Sequence, residues 1–254
     1  MDALGLVKLA ALMAHTTGSA EVRIGLIDGP VDTGHPDLAG AHLREISVKN
    51  AATCLRPSSI SGLHGTFIAG ILAAKRHSSA PAICPGCTLL IRPIFHEEDV
   101  APAQMPRAAT SELTCALIDC IDAGAHVINL SLAPAPASVQ RDEPLESALN
   151  HAARRGVIVV AAAGNQGSLC SSSVTRHPWV IPVVACDREG RPMNDPNLGT
   201  SIGRRGLSAP GDGITSTGAA GRALTQSGTS VAVPFVTGAV ALLRSQFPGA
   251  TADV

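Results

Sequence analysis

Apolar, β-branched runs alternate along this chain with amphipathic stretches, and that alternation constrains its fold more than any other feature. Residues 22–27, 88–94, 127–132, 157–161 and 180–185 read as strands. Residues 64–75, 111–123, 145–155 and 230–247 read as helices. The strands are apolar at almost every position, as in sheets covered on both faces. The pattern predicts an α/β fold: a three-layer, doubly wound, mostly parallel sheet with helices on both faces. Ligands of such sheets bind outside the carboxyl ends of the strands, so chemistry is sought just past them.

The chain has 254 residues, enough for a sizeable core, and shows neither an internal repeat nor a linker. A single domain over residues 1–254 is the expectation. Pro-rich residues 100–107 and 133–144 read as exposed loops, and residues 187–213, rich in Gly, Pro, Asn and Arg, as irregular surface structure. With 19 Lys+Arg against 20 Asp+Glu, the net charge of −1 lacks the basic excess of a nucleic-acid or membrane-surface binder. Four Phe, one Trp and no Tyr leave no aromatic platform for single-stranded nucleic acid.

No apolar run is long enough for a transmembrane helix. Asp2 and Lys8 break the signal-peptide pattern near the start, so Leu4, Leu6, Leu9 and Leu12 read as the stripe of a short surface helix ending near Gly18, and a cytoplasmic location is expected. Seven cysteines, an odd number, do not read as a secreted disulfide framework. Cys115 and Cys120 on one helix stand about 7.5 Å apart, beyond disulfide reach. Cys84-Pro-Gly-Cys87 can close a disulfide across a turn or supply half a zinc site, but no second half is visible, and most cysteines read as small buried hydrophobes.

Four segments fall where this fold builds sites. Ile24-Gly-Leu-Ile-Asp28-Gly29-Pro30 ends a strand in a carboxylate, which either orients an imidazole or merely starts a turn. Gly62-Leu63-His64-Gly65-Thr66 puts an imidazole at a loop–helix junction, as a base or as a cap. Gln226-Ser-Gly-Thr-Ser230 opens the last helix, where Ser230 meets the positive end of the dipole as a nucleophile or serves as an N-cap. Residues 159–167 end a buried strand at Asn165, an amide able to donate to an oxyanion. Jointly they give the order Asp…His…Ser, which the subtilisin constellation also has.

With those residues in view, the chain resembles the subtilisin-like serine proteases. Ile27-Asp-Gly-Pro-Val-Asp-Thr-Gly-His-Pro-Asp-Leu38 is similar to their aspartate motif, His64-Gly-Thr to their histidine motif, Ala162-Ala-Gly-Asn165 to their oxyanion segment and Gly228-Thr-Ser-Val-Ala-Val-Pro234 to their serine motif. The resemblance implies Asp28 as orienting carboxylate, His64 as general base and acid, Ser230 as nucleophile and Asn165 as oxyanion donor. It further implies Ser131-Leu132-Ala133 as an edge strand pairing with an extended peptide or protein substrate, and Ala161, Ala162, Ala163 and Gly164 as pocket lining. Neither metal nor cofactor is expected, since no carboxylate cluster of calcium-site character stands out.

A narrower resemblance is to the protease domains of cyanobactin maturation enzymes, carried by Asp28-Gly-Pro-Val-Asp32, Cys84-Pro-Gly-Cys87 leading into Ile91-Arg-Pro-Ile-Phe95, and Ala123-Gly-Ala-His-Val-Ile-Asn129. Those enzymes process ribosomally made precursor peptides. One branch removes the leader by hydrolysis; the other joins the ends into a macrocycle and carries a helical insertion between its Asp strand and His helix. The compact segment between Asp28 and His64 favours the hydrolytic branch.

The chain also departs from the family. Ala133 stands where Gly is usual, a methyl expected to crowd the substrate strand, and Val231 and Val233 replace more usual residues beside Pro234. The chain stops at Val254, soon after the last helix, which leaves open whether the domain continues. A general subtilisin-like protease, a peptide macrocyclase and an inactive peptide-binding relative are the alternatives, the last opposed by the intact Asp28, His64, Asn165 and Ser230.

Overall fold

The computed structural model describes residues 2–46, 54, 56–95, 108–132, 142–193 and 197–251. Its sheet holds β1 (Arg23–Asp28), β2 (His42–Glu45), β3 (Thr88–Pro93), β4 (Val127–Leu130), β5 (Ile158–Ala162), β6 (Val180–Cys186) and β7 (Leu207–Pro210). Their order is β2-β3-β1-β4-β5-β6-β7, and every pairing is parallel. The helices are α1 (Ala3–Leu6), α2 (Leu9–His15), α3 (Ile60–Ala73), α4 (Thr110–Asp122), α5 (Glu143–Arg154), α6 (Thr200–Arg205) and α7 (Thr229–Gln246). The doubly wound α/β architecture expected from the alternating pattern is the one observed.

Both faces of the sheet are covered, and strand periodicity decides which residue goes where. Ile24 and Leu26 of β1 join a core with Phe67, Ile71 and Leu72 of α3 and Val231, Phe235 and Leu242 of α7. Ile27, one residue out of phase, joins Leu113 and Leu117 of α4 and Leu145 and Leu149 of α5 on the other face. Asp28 therefore shares the face of Ile24 and Leu26, towards α3. Strands β2 and β3 lie on one side of β1, and β4 to β7 on the other. The winding reverses between β1 and β4, where a doubly wound sheet opens a crevice at its carboxyl edge.

Several expectations need correction. Residues 187–213 are not wholly irregular: they contain α6 and β7, a strand of the main sheet whose residues Leu207 and Ser208 are exposed. A strand covered so little has no continuous apolar run to betray it. The edge strand β2 and β9 (Ala223–Gln226) are likewise exposed for the most part, whereas β8 (Ile214–Thr217), paired antiparallel with β9, is mostly buried but built of Thr and Ser after Ile214 and so has no apolar run. Helix α3 begins four residues before His64, because Ser59 is its cap, accepting the Gly62 N–H at 3.0 Å. Residues 100–107 and 133–141, expected as loops, lie outside the described residues, while residues 142–144 open α5, capped by Asp142.

The stretch read as one surface helix is two, broken at Lys8 in the left-handed conformation (φ 57°), and it is not merely superficial: Leu9 and Met13 are buried in the core. Arg76 ties it down. Its guanidinium donates to the Met13 carbonyl, to Thr16 O at 2.7 Å and to Ile83 O at 3.2 Å.

Cys84, Cys87, Cys120 and Cys186 are buried free thiols, and Cys115 and Cys170 exposed ones. A hydrogen bond between Cys84 and Cys87 pushes Cys84, also buried, well up and draws Cys87 down to about 7. Among the described residues no group of three His, Cys, Asp or Glu is placed to share a metal ion, and no helix is long and apolar enough to cross a membrane.

Replacing Arg76 by Met strands three carbonyls. It is expected to lower the unfolding free energy by about 2 kcal/mol, measured as a lower urea midpoint at unchanged slope.

Candidate active site

Asp28 is the last residue of β1 and fully buried, and His64, in the second turn of α3, is 7% exposed. Asp28 Oδ1 lies 2.6 Å from His64 Nδ1 and also accepts the Gly29 N–H at 2.6 Å. Asp28 Oδ2 is buried and meets no donor among the described residues. The pair depends on a very close approach of helix to strand end. A Cβ on Gly29 would lie 2.0 Å from Ser61 O, and one on Gly65 would lie 2.3 Å from Gly29 O. Both positions must be glycine for α3 to come this near.

Burial opposes a charged His64, but the Asp28 charge and the hydrogen bond His64 donates to Asp28 together outweigh it, and the imidazole is raised above its ordinary 6.5. The ring is thus held with Nδ1 on a carboxylate and Nε2 left for another partner.

Ser230 is the second residue of α7 and partly exposed. The turn before it is held by two reciprocal bonds: Thr229 N–H donates to Asn165 Oδ1 at 3.0 Å, and Gly164 N–H donates to Thr229 Oγ1 at 3.2 Å. Gly228 caps α7 at φ 139°, a conformation other residues rarely adopt, and its missing Cβ would stand 3.1 Å from Asn165 Nδ2. Asn165, just beyond β5 and exposed, is therefore laid across the start of α7 with its carbonyl oxygen engaged and its amide N–H groups directed by that bond. Helices α3 and α7 pack against each other, which brings the two halves side by side. No hydrogen bond joins His64 to Ser230 among the described contacts; such bonds are often long without substrate.

The remaining expected residues have distinct placements. Ser131 and Leu132 run past the carboxyl end of β4, an interior strand and not an edge of the main sheet; Ala133 lies outside the described residues. Ala161, Ala162 and Ala163 are buried, each with its side chain in a different core cluster, so those methyls are packing groups of the fold. Asn197, missed in the sequence, braces the same loop: its N–H donates to Gly164 O and its Nδ2 to Ala163 O, both at 2.9 Å. A lone Asn in a Pro- and Gly-rich stretch gives no signal of such a role.

A parallel doubly wound sheet with an Asp–His pair and a helix-borne serine at its carboxyl edge defines the class of subtilisin-like serine proteases. The subtilase family model matches residues 19–254, and the chain belongs to that family.

It is 35% identical to a thermophilic serine proteinase of Bacillus sp. (strain AK1) over 234 residues, 91% of this chain but 54% of that protein. The chain thus spans about half the length of that relative. Among solved structures, a serine-to-alanine mutant of the protease domain of PatA superposes with TM-score 0.85 at 34% identity, covering 93% of this chain and 84% of that one. The prenylagaramide maturation protease PagA superposes with TM-score 0.82 at 31% identity, covering 94% and 80%.

In an NMR titration the His64 ring is expected to titrate above 6.5, and Asp28→Asn, which removes the carboxylate charge and leaves burial, to bring it below the wild-type value. An unchanged midpoint in the variant contradicts the coupling.

Proposed function

We propose that this chain is a serine endopeptidase that hydrolyses extended peptide substrates and removes the leader of a ribosomally made precursor peptide. The observation that carries the chemistry is the buried 2.6 Å contact of Asp28 with His64. Ser230 Oγ attacks the scissile carbonyl while His64 Nε2 takes its proton, and Asp28 keeps Nδ1–H oriented and stabilises the imidazolium. The oxyanion that forms is held by Asn165 Nδ2 and the Ser230 backbone N–H at the start of α7. His64 then returns the proton to the leaving amine, and water hydrolyses the acyl-enzyme by the reverse path.

Maturation as the task is supported by likeness to PatA, a patellamide maturation protease, and to PagA, each over more than nine-tenths of this chain. The segment of residues 131–133 is the proposed docking strand for the substrate backbone. Within this reading one peptidase domain acts in the cytoplasm, where such a precursor is first available.

Ser230→Ala is expected to abolish turnover with the fold retained, and Asp28→Asn to lower kcat about 10,000-fold. Asn165→Ala is expected to lower kcat about 100- to 1,000-fold with KM little changed. Because His64 must be neutral to accept a proton, and its folded pKa is raised, kcat/KM should rise with pH through a midpoint above 6.5. Mass spectrometry of a peptide library with wild type and Ser230→Ala tests the task. Cleavage at one narrow motif supports maturation, promiscuous cutting identifies a general protease, and products one water lighter identify a cyclase.

A further inference from the structure

Pro234 stands inside α7, four residues after Ser230. It has no N–H, so the Ser230 carbonyl is deprived of its ordinary helical donor. That carbonyl instead accepts the Ser131 hydroxyl, at 2.8 Å. Ser131 Oγ in turn accepts Asn129 Nδ2–H at 2.8 Å, and Asn129 Oδ1 accepts the Thr237 hydroxyl at 2.9 Å. Thr237 lies on α7 itself, two turns beyond Ser230. The bonds therefore leave the helix at Thr237, cross to β4 and its extension, and return to the helix at Ser230.

The chain of bonds is shut away from solvent: Asn129 and Thr237 are fully buried and Ser131 is 3% exposed. Strand periodicity puts it there. Val127 packs in the α3–α7 core, while Ile128 and Leu130 pack on the opposite face, so residues 127, 129 and 131 look towards α7. An amide at the centre of a parallel sheet is costly unless its polar atoms are met. Here every donor points the same way along the series, so each bond polarises the next. Its end point is the carbonyl of the residue whose Oγ and N–H the proposed mechanism uses, and holding the Ser230–Val231 peptide unit anchors the Cα from which both project.

We infer that Thr237, Asn129 and Ser131 form a positioning relay for Ser230, an inference that rests on Ser230 being the nucleophile. Ser131 thereby serves through its hydroxyl as well as through the backbone proposed to pair with substrate. The relay acts on acylation chemistry and not on substrate affinity.

The test is the rate at which a small fluorophosphonate modifies Ser230, alongside kcat and KM for a cleaved peptide. The reagent needs Ser230 and His64 but no extended substrate. Ser131→Ala and Thr237→Val, the latter of the same shape without the donor, are expected to slow labelling and kcat about tenfold with KM near wild type. Thr237→Ser, which keeps the hydroxyl, should restore both rates. The double variant Ser131→Ala/Thr237→Val should be no slower than Ser131→Ala, because both act through one carbonyl. Wild-type labelling in Thr237→Val and Ser131→Ala with only a lower thermal midpoint overturns the relay and leaves a purely structural network. Losses that multiply in the double variant, or fall on KM alone, overturn it too. Labelling of Ser230→Ala would instead overturn the nucleophile assignment itself, whereas an inert Ser230→Ala beside undiminished Thr237→Val sinks the relay alone.

Discussion

The site depends first on how closely α3 approaches the end of β1. Two glycines, Gly29 and Gly65, remove the side chains that would hold helix and strand apart, and backbone atoms of Ser61 and Gly29 occupy the room. Only at that separation does an imidazole on the second turn of α3 reach a carboxylate at the last residue of β1. The resulting pair is buried, where neither group would be comfortable as an isolated charge. Mutual attraction in a low-dielectric setting offsets the desolvation and raises His64. The same burial that makes the pair costly makes it effective, since an imidazolium formed there is stabilised at once by its neighbour.

The second half of the site is held by the start of α7, and its geometry is governed by departures from regular helix. Gly228 lets the chain turn in at an angle closed to other residues, and Asn165 and Thr229 fasten that turn to the end of β5. Pro234 frees a carbonyl that Ser131, just past the end of β4, then captures. Each irregularity is compensated by a specific polar partner from the sheet, so the serine turn is suspended between β4 and β5 and not only carried by its own helix. These supports and the β1–α3 pair flank the place where the winding of the sheet reverses.

The strands with both faces buried announced themselves, because burial on two sides demands an unbroken apolar run; β1, β4, β5 and β6 fell within a residue or two of expectation. Strand β7, with Leu207 and Ser208 exposed, carried no such run. Asp28, His64, Asn165 and Ser230 stand out as candidates because each sits in a short segment whose small neighbours have a backbone reason to be small. Ala162 and Ala163 were expected to line a pocket, but their methyls are consumed in packing. Asn197 and Thr237 were illegible: their importance lies in partners far off in the chain.

The sequence by itself determined the layering, the parallel winding and the candidates for the site, since periodicity and turn chemistry are local properties that neighbouring residues express together. Only the tertiary structure decided which of those residues touch. Asp28 and His64 are 36 positions apart, and Asn129 and Thr237 are 108 apart. Whether such pairs meet within hydrogen-bond distance depends on differences of an ångström or so in how helices seat on the sheet. Those distances come from packing volumes summed over the core, which no local pattern records.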